Sequence, residues 1–354
     1  MYGETDAIIA FVRTLFDSEP SELLCRHVLL ALLIAAVALL ASCGERAADS
    51  ATGERPLRLA GPPAVVSFPL MRMAETGITL DGRQVPAQFQ TWHGADQLRV
   101  LLASGDIDFS AAPTHVPALL ANRGEQVRLL NVSVWGMLWL ISRDPHMRGF
   151  GDLRQRDLLM PYRRDMGAIT LQALLDAQGL VANQDVRLIP TRDANDAVSL
   201  MLAGRGQQAL LPEPTASLLL WRAARSGGAP LYRVQSLEAA WAQQFPQAPE
   251  LPQAGVMAAG PHADNARLGA AIVQAYAQAA RWCKAQAHAC AQLAQRYLPE
   301  LPLPALESAI RVTRLDGVPA RQARLPLEAL YRRILAQQPE AIGEALPAEE
   351  FYGP

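Results

Sequence analysis

The chain has 354 residues, 32 of them basic and 34 acidic, for a net charge of −2, and half of its residues are hydrophobic. That length supports a sizeable core in more than one lobe, and the charges form no basic stripe of the kind nucleic acid requires. GxSxG, HExxH and P-loop patterns are absent, so the sequence indicates no enzyme class.

In chain order, the first distinctive segment is VLLALLIAAVALLA, residues 28–41, with no charge, Gly or Pro. Fourteen residues at about 1.5 Å each give about 21 Å, short of a hydrocarbon core of about 30 Å. A run of that length ending in small residues reads as the apolar part of a secretory signal, here residues 1–42. The ending Leu40-Ala41-Ser42-Cys43 resembles a bacterial lipobox, which makes Cys43 the expected lipidation site and mature N-terminus. A buried core helix is the alternative, but small residues, Cys43, Gly44 and a polar run make a poor continuation for one. Residues 1–22 carry five acidic side chains against Arg13 alone, where a signal should begin positive. Only Arg26, with His27, supplies that charge, so we expect translation to start near Leu23 or Leu24 and residues 1–22 to be a misassigned start.

Residues 43–56 read as lipid anchor and flexible tether, because GERAADSATGERP has nothing large and apolar to bury. Glu45, two positions into the mature chain, favours the outer membrane in a Gram-negative cell. Removing residues 1–42 leaves 30 basic and 29 acidic side chains, and Lys284 is the single lysine.

From Pro56 onward, strand and helix patterns alternate, which predicts an α/β fold with parallel strands. Strands are expected at 57–60, 84–90, 107–111, 127–133 and 137–142, with helices over 68–75, 95–103 and 116–122. A second lobe is expected from Asp144, with strands at 158–160, 186–189, 209–211 and 232–234. Asp165 and Asp193 are placed to cap helices over 167–178 and 197–203, and Pro214 opens another over 215–224. A strand at 255–258 follows, and from Asp264 the chain is expected to be mostly helical, including 266–282, 290–297, 304–312 and 326–337. Cys283 and Cys290 cannot pair along one continuous helix, where seven residues span about 10.5 Å. If the chain turns near 285–289 they can form a disulfide in an oxidising compartment; two buried free thiols are the alternative.

Three passages resemble one family. LRVLLASGDIDFSAAPTHVPALLANRG, LQALLDAQGL followed by DVRLIP, and DAVSLMLAGRGQQALLPEPTASLLL occur in the order and spacing seen in extracytoplasmic substrate-binding proteins of ABC importers. The branch is the nitrate, sulfonate and taurine type, with its thiamine-precursor relatives. The resemblance runs from Leu57 to about Val312 and implies the periplasmic-binding-protein type II fold. That means two α/β lobes, a two-stranded hinge and a helical C-terminus, with lobe 1 over 57–142 plus 252–354 and lobe 2 over 143–251. It also implies a small-molecule ligand, permease and ATPase partners, a monomer, and no catalysis or cofactor. Two segments depart from the pattern: GPPAVVSFP is unusually rich in proline, and PYRRDMG puts large residues where a small Gly/Ser cluster is common.

Ligand-binding candidates sit at strand ends and helix starts, where free N–H groups and the helix dipole favour anions. They are Ser67, Trp92, His93, Pro113, Thr114, Arg163, Arg164, Glu213 and Thr215. The two arginines suit a carboxylate, sulfonate or phosphate; Glu213 and Trp92 suit a cationic or aromatic solute such as a pyrimidine. For each, ordinary surface exposure, core packing or helix capping is the competing role. Trp135 and Trp139 belong to the hinge region as core side chains, and His115, His146, His262 and His288 lack ligand spacing, so no metal is assigned. An enzyme on the same fold, of menaquinone- or thiamine-precursor type, is one rival reading; a lipoprotein sensor or assembly partner without transport is the other.

Overall fold

The computed structural model describes residues 55–163 and 165–353. The signal segment, Cys43, all but the last two tether residues, and Arg164 lie outside the described residues. Among the described residues no helix is long and apolar enough to cross a membrane.

The first sheet is built from β1 (Leu57–Gly61), β4 (Ala87–Thr91), β5 (Phe109–Pro113), β6 (Val127–Val134), β12 (Ala254–Ala259) and β13 (Leu315–Pro319). Its order is β13-β6-β12-β5-β1-β4. β1 pairs in parallel with β4 and β5, and β12 runs antiparallel between β5 and β6. Every residue of β12 is buried, as expected of a central strand, and AGVMAA has no polar position to turn outward. β2 (Ile78–Leu80) and β3 (Arg83–Val85) form a separate hairpin.

The second sheet contains β7 (Leu138–Ser142), β8 (Arg156–Met160), β9 (Val186–Pro190), β10 (Gln208–Pro212) and β11 (Tyr232–Ser236). Its order is β11-β7-β10-β8-β9, with β8 parallel to both β9 and β10. The mixed α/β architecture with parallel strands is therefore present in both sheets.

Helices alternate with the strands: α1 (Phe68–Thr76), α2 (Ala95–Ala103), α3 (His115–Asn122), α4 (Met166–Ala177), α5 (Ala194–Leu202), α6 (Thr215–Arg225) and α7 (Leu237–Gln244). The C-terminal part adds α8 (Ala266–Ala285), α9 (Ala287–Tyr297), α10 (Leu303–Val312) and α11 (Arg324–Gln337). Asp165 caps α4 by accepting from the Ala168 N–H, and Asp193 caps α5 by accepting from the Asp196 N–H. α8 and α9 are broken at Gln286, whose φ of −123° and ψ of 54° leave the helical range. That break brings the Cys283 and Cys290 Cα atoms to 5.0 Å, and the two are joined as a disulfide.

Two expectations are corrected. The sequence places residues 138–142 in the first lobe, but β7 lies in the second sheet, between β10 and β11. The chain therefore crosses at 135–137; β6 and β7 are both apolar runs, and strand pairing rather than composition assigns each to its sheet. The stretch from Asp264 is mostly helical, as expected, and it also contributes β13 as an edge strand of the first sheet. Its sequence, LDGVP, is short and contains Gly and Pro, so it carries no strand signal. The single strand expected over 84–90 is two strands broken at Pro86, which has no N–H to donate to a ladder.

The return crossing runs through 245–253. Gln253 ties it to the outgoing one, its N–H donating to the Val134 carbonyl at 3.0 Å and its Oε1 accepting from the Met137 N–H at 2.9 Å. α11 then spans the crossing on the outside. Tyr331 donates from Oη to the Thr114 carbonyl at 2.9 Å, while Gln337 donates to Asp176 on α4 at 2.9 Å. One buried cluster accordingly contains Val132 of the first sheet, Leu158 of the second, and Leu330 of α11.

Candidate ligand cleft

The C-terminal ends of the parallel strands in both sheets reach the two crossing segments. At the end of β5 the Thr114 N–H donates to the Gln253 carbonyl at 3.1 Å. At the end of β10 the Glu213 N–H donates to the Met137 carbonyl at 2.9 Å. Because β1 and β4 run with β5, and β8 and β9 with β10, the loops after all six strands share this side of the molecule. Strand ends that flank a crossing point are where open α/β sheets hold ligands. Two hollows lie elsewhere: one of about 490 Å³ at the opposite ends of β8 and β10, beside Arg156 and Gln207, and one of about 410 Å³ between α1 and α8.

The nominated side chains divide by what they already bond. Ser67 is fully buried, and its Oγ donates to the Pro62 carbonyl at 2.6 Å. It also stands where a side chain at Gly61 would be, so β1 can end there only as glycine. Thr114 is fully buried, and its Oγ1 donates to the Pro252 carbonyl at 2.7 Å, so it fastens the crossing. Trp92 is buried and donates from Nε1 to Ser110 Oγ at 3.1 Å, packing with Leu98, Ile107 and Met257 rather than standing as an open platform. Pro113 and Thr215 are half-buried at the ends of β5 and the start of α6. His93 and Arg163 are exposed, and the His93 N–H donates to Gln97 Oε1 at 2.7 Å.

Glu213 has no exposed side-chain surface. Its Oε1 accepts from Arg233 Nη2 at 2.5 Å, and its Oε2 accepts from the Ser217 N–H at 3.1 Å. The same Arg233 nitrogen reaches Ser217 Oγ at 2.8 Å, and the guanidinium lies 4.9 Å from the Trp139 ring centre. Burial pushes the Glu213 carboxyl above its usual range, against the opposing pull of Arg233. An exposed cation–carboxylate pair contributes little, but a pair this deep must stay complete, since either charge alone would be left desolvated.

The loop after β8 holds two further groups. The Tyr162 ring lies across Gly167 in the first turn of α4, so that a Cβ at Gly167 would fall 2.6–2.9 Å from its carbons. Tyr162 Oη is buried without a hydrogen-bond partner. Burial raises the Asp165 carboxyl to about 6, opposed by the N–H groups of Ala168 and Gly167. On the other side, His115 follows Thr114 with its Nδ1 buried and unpartnered, and burial lowers it to about 4, so the ring is neutral at pH 7.

Sequence reasoning passed over Tyr162, Ser217 and Arg233 as site residues and used Asp165 only as a cap. Tyr162 and Asp165 could have been found, because PYRRDMG already stood out by its bulk. Arg233 gave no signal: it lies twenty residues from Glu213 on a strand of ordinary composition. No group of three or more His, Cys, Asp or Glu side chains suited to a metal is found among the described residues.

No protein-family model matches the chain, and no curated protein sequence does. Solved structures do. An ABC transporter structure from Parabacteroides distasonis aligns with a TM-score of 0.71 at 19% identity, covering 85% of this chain and 99% of that one. The alkanesulfonate-binding protein SsuA from Xanthomonas axonopodis pv. citri, bound to MOPS, aligns at 0.59 and 14% identity, covering 85% and 99%. The periplasmic nitrate-binding protein NrtA from Synechocystis PCC 6803 aligns at 0.59 and 14%, covering 81% and 84%. The chain therefore has the type II periplasmic-binding-protein fold expected from its sequence.

Proposed function

We propose that this protein is a solute receptor, anchored outside the cytoplasm through lipidated Cys43, that presents a small molecule to the permease and ATPase of an ABC importer. One observation carries the reading: the fold of solved binding components extends over 85% of the chain, and its strand ends meet at a crossing tied by Gln253. Binding by two lobes needs no catalytic group, and Glu213, the most deeply buried of the nominated carboxylates, is already paired with Arg233. The tether of residues 43–56 spans at most about 45 Å and averages about 20 Å as a coil, which keeps a monomeric receptor near its membrane. Glu45 favours the outer membrane where there is one. Sulfonates, nitrate, carboxylates and pyrimidine-like solutes are the classes the fold's relatives and the sequence bring forward.

Thermal denaturation against that panel tests the receptor reading. A true ligand at a hundredfold excess over Kd stabilises by about 2.7 kcal/mol. No shift with any member, together with no co-purifying small molecule in native mass spectrometry, sinks it. The anchor is tested separately: Cys43→Ser should abolish labelling by a fatty acid and release the protein from membranes.

A further inference from the structure

The end of the second sheet farthest from the crossing carries a hollow that is separate from the cleft. Its volume of about 490 Å³ falls within the range of about 300–1,000 Å³ typical of small-molecule sites. The residues after β7, the first residues of β8 and the turn before β10 bring Arg143, Arg156 and Arg205 to its walls, with Asp144 and Asp157.

Both carboxylates are already matched. Asp157 accepts from Arg187 of β9 through both oxygens, at 2.7 and 2.5 Å. Asp144 lies 2.9 Å from Arg156 Nη1 and accepts the His146 N–H at 2.9 Å. Arg143 and Arg205 are left in excess, and among the described residues neither forms an ion pair.

Arg143 is half-buried, and three of its five N–H groups go to backbone carbonyls. Nε donates to Gly206 at 3.4 Å, Nη1 to Ala229 at 3.2 Å, and Nη2 to Met201. Met201 is in the last turn of α5, and a helix end offers only about half a negative charge, so the guanidinium stays net positive. Arg205 is exposed and acts on Asp196 only through space, while Arg192 already holds Asp196 at 3.2 Å. Leu159 of β8 and Ile189 of β9 give the same hollow an apolar wall.

We propose that this hollow binds a phosphate monoester, with Arg143 and Arg205 on the phosphoryl group and the esterified carbon chain against Ile189. A phosphomonoester carries a charge of about −1.5 to −2 and three acceptor oxygens, which matches two unpaired guanidinium groups where a single charge does not. A free phosphorylated solute and the monoester headgroup of a membrane lipid share this chemistry.

The test is calorimetric titration of the full chain, carried in phosphatidylcholine vesicles at low salt, with n-butyl phosphate and with the singly charged diester diethyl phosphate. The monoester should bind with submillimolar affinity, and the diester at least about tenfold more weakly. Arg205→Glu changes an exposed side chain, so the variant should fold, and it should weaken the monoester by about tenfold to a hundredfold. Arg205→Lys keeps the charge and should retain most of the affinity. Repeating the titration in vesicles that also contain phosphatidate separates the two sources. Loss of the monoester heat there assigns the hollow to a lipid headgroup, and its persistence assigns it to a free solute. No heat with n-butyl phosphate up to about 10 mM overturns the proposal. So does binding that Arg205→Glu leaves unchanged, or a diester that binds as tightly as the monoester. None of these results bears on the receptor reading, because the hollow lies at the opposite strand ends from the cleft.

Discussion

Glu213 and Arg233, twenty residues apart, form a pair across β7, with the carboxylate fully buried and the guanidinium 17% exposed. The pair fixes the start of α6 to the edge strand β11 and holds Arg233 over Trp139. A carboxylate placed at a strand-to-helix turn is therefore an internal strut here. Ser217, bonded to both partners' network, also donates from Oγ to Ser308 on α10 at 3.1 Å, which ties the start of α6 to α10.

Breaking this pair from one side should be costly. Glu213→Ala leaves Arg233 desolvated and unpaired, and we expect a loss of about 3–5 kcal/mol in urea unfolding. The double variant Glu213→Gln with Arg233→Met should recover most of that loss. A single variant within about 0.5 kcal/mol of wild type shows that the pair does not carry the α6–β11 junction.

Asp165 and His115 should give stability opposite dependences on pH. Asp165 is raised from 3.8 to about 6, so its burial costs nothing below pH 3.8 and its full amount above about pH 6. His115 is lowered from 6.5 to about 4, so the protein has its full stability above pH 6.5 and loses it as pH falls toward 4. Each shift corresponds to about 3 kcal/mol, so in wild type the two nearly cancel between pH 4 and 6.5. Asp165→Asn should therefore raise stability at pH 7 and leave the acid loss of His115 exposed. Denaturant midpoints measured at pH 4, 5, 6 and 7 decide this; unchanged curves for the variant refute the Asp165 assignment.

The disulfide between Cys283 and Cys290 should contribute through the unfolded chain. Closing a loop of seven intervening bonds along the sequence removes conformational freedom equal to about 2.5 kcal/mol. Cys283→Ser with Cys290→Ser should lower the melting temperature by several degrees, and a reducing agent should do the same to wild type but not to the variant.

Gly255 lets β6 and β12 approach at their bulge. A Cβ there would stand 1.9 Å from the Asn131 carbonyl oxygen, and that oxygen is backbone in a central strand pair. Gly255→Ala should cost more than about 3 kcal/mol or prevent folding, as read from soluble yield and urea midpoint. Gly228→Ala, whose Cβ would meet only Ser226 Oγ at 3.4 Å, serves as the neutral comparison.

Much of the local structure was legible because its causes are local. Asp165 and Asp193 stand one position before their helices and accept from backbone N–H groups three residues on, which is a spacing any sequence displays. Length alone showed that Cys283 and Cys290 can pair only if the helix breaks between them, and left free thiols as the alternative. The cleft was only partly legible. Ser67, Thr114 and Trp92 have side chains of a type that binds ligands, but a hydroxyl or indole does not declare whether its partner is a solute or a carbonyl elsewhere in the chain. Thr114 meets Pro252, 138 residues away, and Trp92 meets Ser110 across two strands.

The amino-acid order by itself determined the alternation of strands and helices, the helix caps and the apolar segment before Cys43, because each depends on neighbours within a few residues. Tertiary structure alone decided that β7 belongs to the second sheet, that α11 spans the crossing, and that Glu213 lies against Arg233. Those outcomes depend on which distant surfaces are buried together, and burial sets both the partner and the charge state of every polar group it encloses.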